Sequence, residues 1–259
     1  MAEPREPTKS FEDLVEIVKV LRKECPWDRK QTHQSIKDNL IEEAYEAVEA
    51  IDTEDFDDLK SELGDVLLHV VFHSNMADET DQFTIKDVIY AIQAKLIRRH
   101  PHVFGDEVAE NDEQVAENWE TIKKEQEGKA SILDGIPNQL PALIRAQRMQ
   151  EKAANVGFDW PQSQQVWEKL EEELQEFKEA IQAGNPQKSR EEYGDLLFSL
   201  VNFGRFFDLN AEDSLRSTNR KFTKRFQYIE EQLDKQGQPI SETSLEEMDR
   251  HWNSAKKDD

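Results

Sequence analysis

The chain repeats an acidic pattern at a fixed interval of 130 residues: Glu42, Glu43 and Glu46 return as Glu172, Glu173 and Glu176, and Glu62-Leu63-Gly64-Asp65 returns as Glu192-Tyr193-Gly194-Asp195. A duplication restricts the fold to two similar units, each closing its own core. Residues 1–127 form the first, 128–141 a linker carrying Gly135, Pro137 and Pro141, and 142–259 the second. What the copies keep is carboxylate as well as apolar pattern. A fold needs the apolar pattern; the retained charge points to chemistry.

Charged residues are 34% of the 259 positions and apolar residues 36%, with only nine Gly and nine Pro, a balance suited to amphipathic helices. The spacing predicts an all-α chain of two tandem helical bundles. Ser10 caps a first helix with apolar positions at Phe11, Leu14, Val18 and Leu21. Further helices are predicted at about 32–52, 55–78, 84–100 (stopped by Pro101) and 113–127. The second half replays them at 142–155, 162–183, 189–209, 211–235 and 245–256. The short connections favour antiparallel neighbours.

A net charge of -23 leaves no basic field for a nucleic acid or an anionic membrane. The N-terminal residues are too polar for a signal peptide, and the longest apolar run, Val66 to Phe72, is broken by His69. With a single cysteine, Cys25, the expected compartment is a reducing cytoplasm.

On a helix, Glu42, Glu43 and Glu46 share one arc of roughly a hundred degrees, and Glu62 and Asp65 lie one turn apart. Packing the two helices antiparallel gathers the carboxylates around one point, and magnesium relieves their repulsion through oxygen coordination. A single Glu-Glu-x-x-Glu string is most often a solvated face; its recurrence at matched positions favours the metal. Gly64 and Gly194 each cost a helix about 1 kcal/mol relative to Ala, which points to close approach of a backbone or a ligand. Lys95 and Arg99 are echoed by Lys221 and Arg225, and Trp119 with Lys123 by Trp252 with Lys256. Such cations suit phosphate oxygens, and the tryptophans offer a flat face for a base or anchor the core. His69 and His73 face Ser199 and Phe203 in the other copy and read as packed residues. No histidine has Glu three residues before it, no zinc-type Cys/His set exists, and no Gly-x-x-x-x-Gly-Lys loop is present.

Taken in order, Cys25-Pro26-Trp27-Asp28, Gln31-Thr32-His33, Glu42-Glu43-x-x-Glu46, Glu62-Leu63-Gly64-Asp65, Arg98-Arg99-His100-Pro101-His102-Val103-Phe104, Asn155-Val156-Gly157-Phe158-Asp159-Trp160 and Glu192-Tyr193-Gly194-Asp195 resemble, over nearly the whole chain, the two-domain bacterial MazG nucleoside triphosphate pyrophosphohydrolases. The resemblance implies an all-α homodimer hydrolysing NTPs or dNTPs to monophosphate and pyrophosphate with Mg2+, in nucleotide-pool surveillance. It implies that the C-terminal domain carries most activity. Glu172, Glu173, Glu176, Glu192 and Asp195 are then the metal cluster, with Glu42, Glu43, Glu46, Glu62 and Asp65 their first-copy counterparts. Asn219, Lys221, Arg225, Trp252 and Lys256 hold phosphates and nucleoside, matched in part by Lys95, Arg99, Trp119 and Lys123. The expected reaction is attack of a magnesium-activated water on the α-phosphorus, with Glu172 orienting or deprotonating the water and Lys221 and Arg225 stabilising the leaving diphosphate. Gln93 replaces the asparagine in the first copy. The competing readings are a catalytically silent acidic helical dimer that binds a regulatory protein, against which the retained cation pairs count, and a transition-metal-binding bundle, against which the missing Glu-x-x-His counts.

Overall fold

The computed structural model describes residues 6–106, 111 and 131–257, and among these every regular element is helical. The chain divides into two compact units, residues 1–123 and 124–259.

In the first unit, α1 (Phe11–Glu24) begins at Ser10, whose hydroxyl accepts from the Asp13 amide at 3.1 Å. α2 (Lys37–Asp52) and α3 (Phe56–Asp78) form an antiparallel hairpin, and α4 (Ile85–Arg99) follows a Thr84/Asp87 capping box. Pro101 ends α4 and opens the single turn α5 (Pro101–Phe104). α2 starts at Lys37, five residues later than the pattern predicts. Thr32 and Ser35 instead close a tight turn on each other, the Thr32 amide donating to Ser35 Oγ at 2.9 Å and the Ser35 amide to Thr32 Oγ1 at 3.1 Å. Val18, Ile36, Val71, Phe72 and Met76 form the core, with Leu14, Val15 and Leu68 packed against it. The Arg22 guanidinium lies over the Phe72 ring and donates to Glu79 through Nε at 2.8 Å and Nη2 at 2.6 Å. Its Nη1 bonds the Asp28 carbonyl, and the Gln31 carbonyl at 3.1 Å, fixing the loop before α2 to the end of α3.

The second unit contains α6 (Ala142–Ala154), α7 (Ser163–Gln182), α8 (Pro186–Arg205), α9 (Ala211–Gln236) and α10 (Leu245–Ala255). α8 runs about three residues ahead of the predicted span. Asn185 caps it with Pro186 at the first position, and it closes where the Leu209 amide turns back to the Gly204 carbonyl. Val166, Val201, Ile229 and Leu233 are buried, and Trp167 and Phe203 contact across the α7–α8 hairpin with ring centroids 5.1 Å apart. The helix expected at 113–127 lies outside the described residues. No helix among the described residues is long and apolar enough to cross a membrane.

The α2–α3 and α7–α8 hairpins share one closing device. In the first, the Asp55 amide reaches the Ala50 carbonyl and the Glu54 amide that of Ile51. In the second, Asn185 reaches Ala180 and Gly184 reaches Ile181. Each is a Schellman turn, and the residue at its left-handed position is Glu54 (φ 57) in one copy and Gly184 (φ 64) in the other. Ala50 and Ala180, four residues past Glu46 and Glu176, are 1% and 2% exposed. These small side chains let the paired helices approach beside the turn, which brings their acidic faces together.

Candidate metal and nucleotide site

Each hairpin gathers carboxylates from both of its helices. In the first unit Glu43 of α2 meets Glu62 and Asp65 of α3, with one oxygen from each lying within 4.8 Å of the others; in the second Glu173 and Glu176 of α7 meet Glu192 of α8 within the same limit. Glu46 belongs to the first group as well, within hydrogen-bonding reach of Glu43 and Glu62. Glu42 and Asp195 are exposed and stand outside both trios. Glu172 is directed to Lys169, 3.1 Å away.

The electrostatics carry the signature of unneutralised crowding. Glu43 is pushed above the ordinary carboxylate value first by loss of solvent and then by Glu46, Asp65 and Glu62. Glu62 shifts the same way, through desolvation, Glu46 and Asp58. Glu176 is raised chiefly by the charge of Glu192. Oxygen donors forced together against their own repulsion fit a hard dication. One observation in the second unit sharpens this: Glu173 is buried, and its Oε2 has no hydrogen-bond partner among the described residues.

The copies differ in their cations. Lys169 bonds Glu173 at 2.7 Å as well as Glu172, and Lys188 lies 3.6 Å from Glu192. The hydrogen bond to Glu173, more than any other influence, holds Lys169 above the ordinary ammonium value. At the same interval of 130, the first copy has Asn39 and Asp58. Sequence reasoning missed these two lysines because an i,i+4 Lys–Glu pair on an acidic helix is commonplace. Comparing the copies position by position would have exposed them.

Among the described residues Gly64 and Gly194 face open space, since a Cβ on either would meet no heavy atom within 4 Å beyond its own stretch of helix. The backbone approach anticipated at these glycines is therefore not made by any described residue of the chain.

Of the predicted nucleotide-holding residues, Arg225 of α9 places its guanidinium 5.5 Å from the Trp252 ring centroid, and Phe222 tilts against the same ring at 5.3 Å. Trp252 is thus partly engaged, as the core-anchor alternative requires, and presents only part of its surface. Asn219, Lys221 and Lys256 are exposed. In the first unit Lys95 and Gln93 are exposed on α4, whereas Arg99 is 8% exposed. Trp119 and Lys123 lie outside the described residues.

Comparison with known proteins agrees with this architecture. The MazG nucleotide pyrophosphohydrolase domain matches residues 31–104 and again 162–229, so each match contains one carboxylate hairpin. The chain is 49% identical over 253 residues to the nucleoside triphosphate pyrophosphohydrolase/pyrophosphatase MazG of Thermotoga maritima, covering 96% of both. It is 44% identical over 240 residues to the nucleoside triphosphate pyrophosphohydrolase of Escherichia coli K12, covering 90% of both. Bacillus subtilis YabN is 46% identical over 95% of this chain, which there spans 52% of the longer protein. The duplicated carboxylate hairpin, matched twice within one chain, is that of the MazG nucleotide pyrophosphohydrolases, and this chain belongs to that family.

Proposed function

We propose that the chain is a nucleoside triphosphate pyrophosphohydrolase that converts an NTP or dNTP and water into a nucleoside monophosphate and pyrophosphate, with Mg2+ as its cofactor. The observation that carries the reading is the convergence of Glu173, Glu176 and Glu192, two of them buried and one with an oxygen lacking a partner, at the mouth of a helical hairpin. A buried carboxylate with unused coordination capacity is costly unless a cation completes it. Glu43, Glu46, Glu62 and Asp65 form the equivalent set in the first unit, with Glu42 and Asp195 flanking their respective groups. A bound dication supplies charge neutralisation at the phosphoryl oxygens and a lowered pKa for water.

The protein's own residues do the rest. Lys169 and Lys188 pair with Glu173 and Glu192 and, on exchanging them for substrate, present two ammonium groups to the phosphate chain. Glu172, adjacent to Glu173 but turned outward, takes the proton of the attacking water. Lys221 and Arg225 receive the departing diphosphate, while Asn219, Trp252 and Lys256 hold the nucleoside end. The second unit is the main catalyst, because Asn39 and Asp58 stand where it has Lys169 and Lys188. In the first unit Lys95, Arg99, Trp119 and Lys123 provide a sparser counterpart. The working form is a cytoplasmic homodimer acting on the nucleotide pool: Leu63 and Leu67 on α3 and Leu197 and Leu200 on α8 are exposed apolar positions that a second copy can cover.

Product analysis decides the reaction. Pyrophosphate and monophosphate released together in Mg2+, and neither in excess chelator, is the expected outcome. Diphosphate and orthophosphate as first products overturn it.

A further inference from the structure

One group of metal-ligating side chains lies outside the carboxylate trios. His69 and His73 sit one helical turn apart on α3, and Asp65 precedes His69 by the same interval, so the three share one stripe of that helix. His33, from the turn before α2, stacks on His73 with ring centroids 5.0 Å apart and planes within 13°. Their Nδ1 atoms face each other at 2.7 Å. The His69 ring stands beside His73, with centroids 6.2 Å apart.

The nitrogens are incompletely satisfied. His69 Nδ1 and His73 Nε2 are buried without a hydrogen-bond partner among the described residues. Two Nδ1 atoms at hydrogen-bond distance require one ring to donate and the other to accept, so the pair is fixed in complementary tautomers. A packing role gives no reason for three imidazoles to cluster with two of their buried nitrogens unpaired. Placement of His33 is also built rather than incidental: it lies within the reciprocally bonded Thr32–Ser35 turn, and Arg22 ties the preceding loop to Glu79 at the end of α3.

We propose that His33, His69 and His73 form a second cation site on the first unit, selective for a borderline transition-metal dication such as Zn2+ and distinct in ligand chemistry from the carboxylate trio. Imidazole nitrogen is the donor that such ions prefer, whereas Mg2+ takes oxygen. A pair of histidines one turn apart on a helix is a proven chelating spacing. Zinc–imidazole bonds of about 2.0–2.1 Å place two nitrogens of one tetrahedral ion about 3.3 Å apart. His33 and His73 therefore separate by roughly half an ångström on binding, and His69 joins by rotation about its side chain. On binding, the ring that donates through Nδ1 transfers its single proton to its own Nε2, so both Nδ1 lone pairs face the ion and both imidazoles stay neutral. Burial holds both His69 and His73 below the ordinary imidazole value, which favours the neutral form that ligation requires.

The test uses the full chain without a polyhistidine tag, stripped of metal with chelator and dialysed. Zn2+ is titrated by calorimetry and, in parallel, by imidazole-detected 1H–15N NMR. One Zn2+ per chain with shifts at His33, His69 and His73 is expected. His33→Gln, an exposed loop change that leaves the core intact, should weaken this binding at least tenfold. Glu62→Gln, which damages the carboxylate trio, should leave the imidazole shifts in place. Imidazole resonances unmoved by Zn2+, or zinc binding lost in Glu62→Gln and retained in His33→Gln, overturns the proposal by placing the ion on the carboxylates alone. Because no step of the test reads hydrolysis, its failure and that of the proposed reaction are separate results.

Discussion

Lys169 reaches forward one turn along α7 to Glu173 and holds that buried carboxylate at 2.7 Å, while the other carboxylate oxygen has no partner among the described residues. The lysine stands in for part of the charge that a dication would bring. Lys169→Met therefore leaves Glu173 uncompensated in metal-free protein. With Lys169 about a third exposed, solvent screening reduces the expected loss to about 1–2 kcal/mol, well below that for a fully buried pair. Chemical denaturation in chelator measures it. A wild-type midpoint would show that solvent already neutralises the pair.

The two trios should be unequal. Pairing Glu46→Gln with Glu62→Gln in the first unit, and Glu176→Gln with Glu192→Gln in the second, isolates each hairpin in the full chain. The second pair should reduce pyrophosphate release more than about a hundredfold, the first by less than about tenfold. The reverse ordering would assign catalysis to the first unit.

Acidity should act on metal-free protein in two opposite ways. Glu43, Glu62 and Glu176 have folded values raised above 4.5, so their contribution is fully present below that value and is lost as pH rises through their folded values. Stability in chelator should thus increase as pH falls from 7 toward about 5. Glu79 is held below the ordinary value, first by its hydrogen bonds from Arg22, and its contribution is lost as pH falls through that depressed value. Stability should then decline below about 4.5. Thermal melts across this range give the profile, and the gain near pH 5 should vanish in saturating Mg2+.

Glu54 occupies a left-handed position at φ 57 where the second copy uses Gly184. Glu54→Gly should stabilise the first unit by about 0.5–1 kcal/mol, since the strain relieved outweighs the added unfolded-state entropy. A destabilised variant would mean that the Glu54 side chain makes a compensating contact.

Gly64 and Gly194 test for an approaching ligand or partner. No described residue opposes a Cβ at either, so Gly194→Ala should gain about 1 kcal/mol of stability through helix propensity. If substrate or a second copy packs there, the same variant should lose turnover or shift the dimer equilibrium, read by steady-state kinetics and light scattering.

Helix type, helix order, the duplication and the identity of the recurring carboxylates were legible in the sequence because each is a local or periodic property. Ser10, Thr84 and Pro101 marked helix ends for the same reason: caps and breakers act within a turn. The start of α2 was not legible, since Thr32 and Ser35 satisfy each other in a turn that competes with the helix on nearly equal terms. Pattern alone could not separate ten acidic candidates. Only the close packing permitted by Ala50 and Ala180 decided that Glu43, Glu62 and Asp65 meet in one hairpin and Glu173, Glu176 and Glu192 in the other. His33 lies 36 and 40 residues before His69 and His73, and no periodicity links a loop to a helix so distant. Their meeting is a tertiary fact, set by the Arg22 tether and the core beneath it. Sequence determined which groups the protein carries and on which helix faces; tertiary structure determined which of them share a point in space, because convergence depends on interhelical distance and loop anchoring that no local pattern encodes.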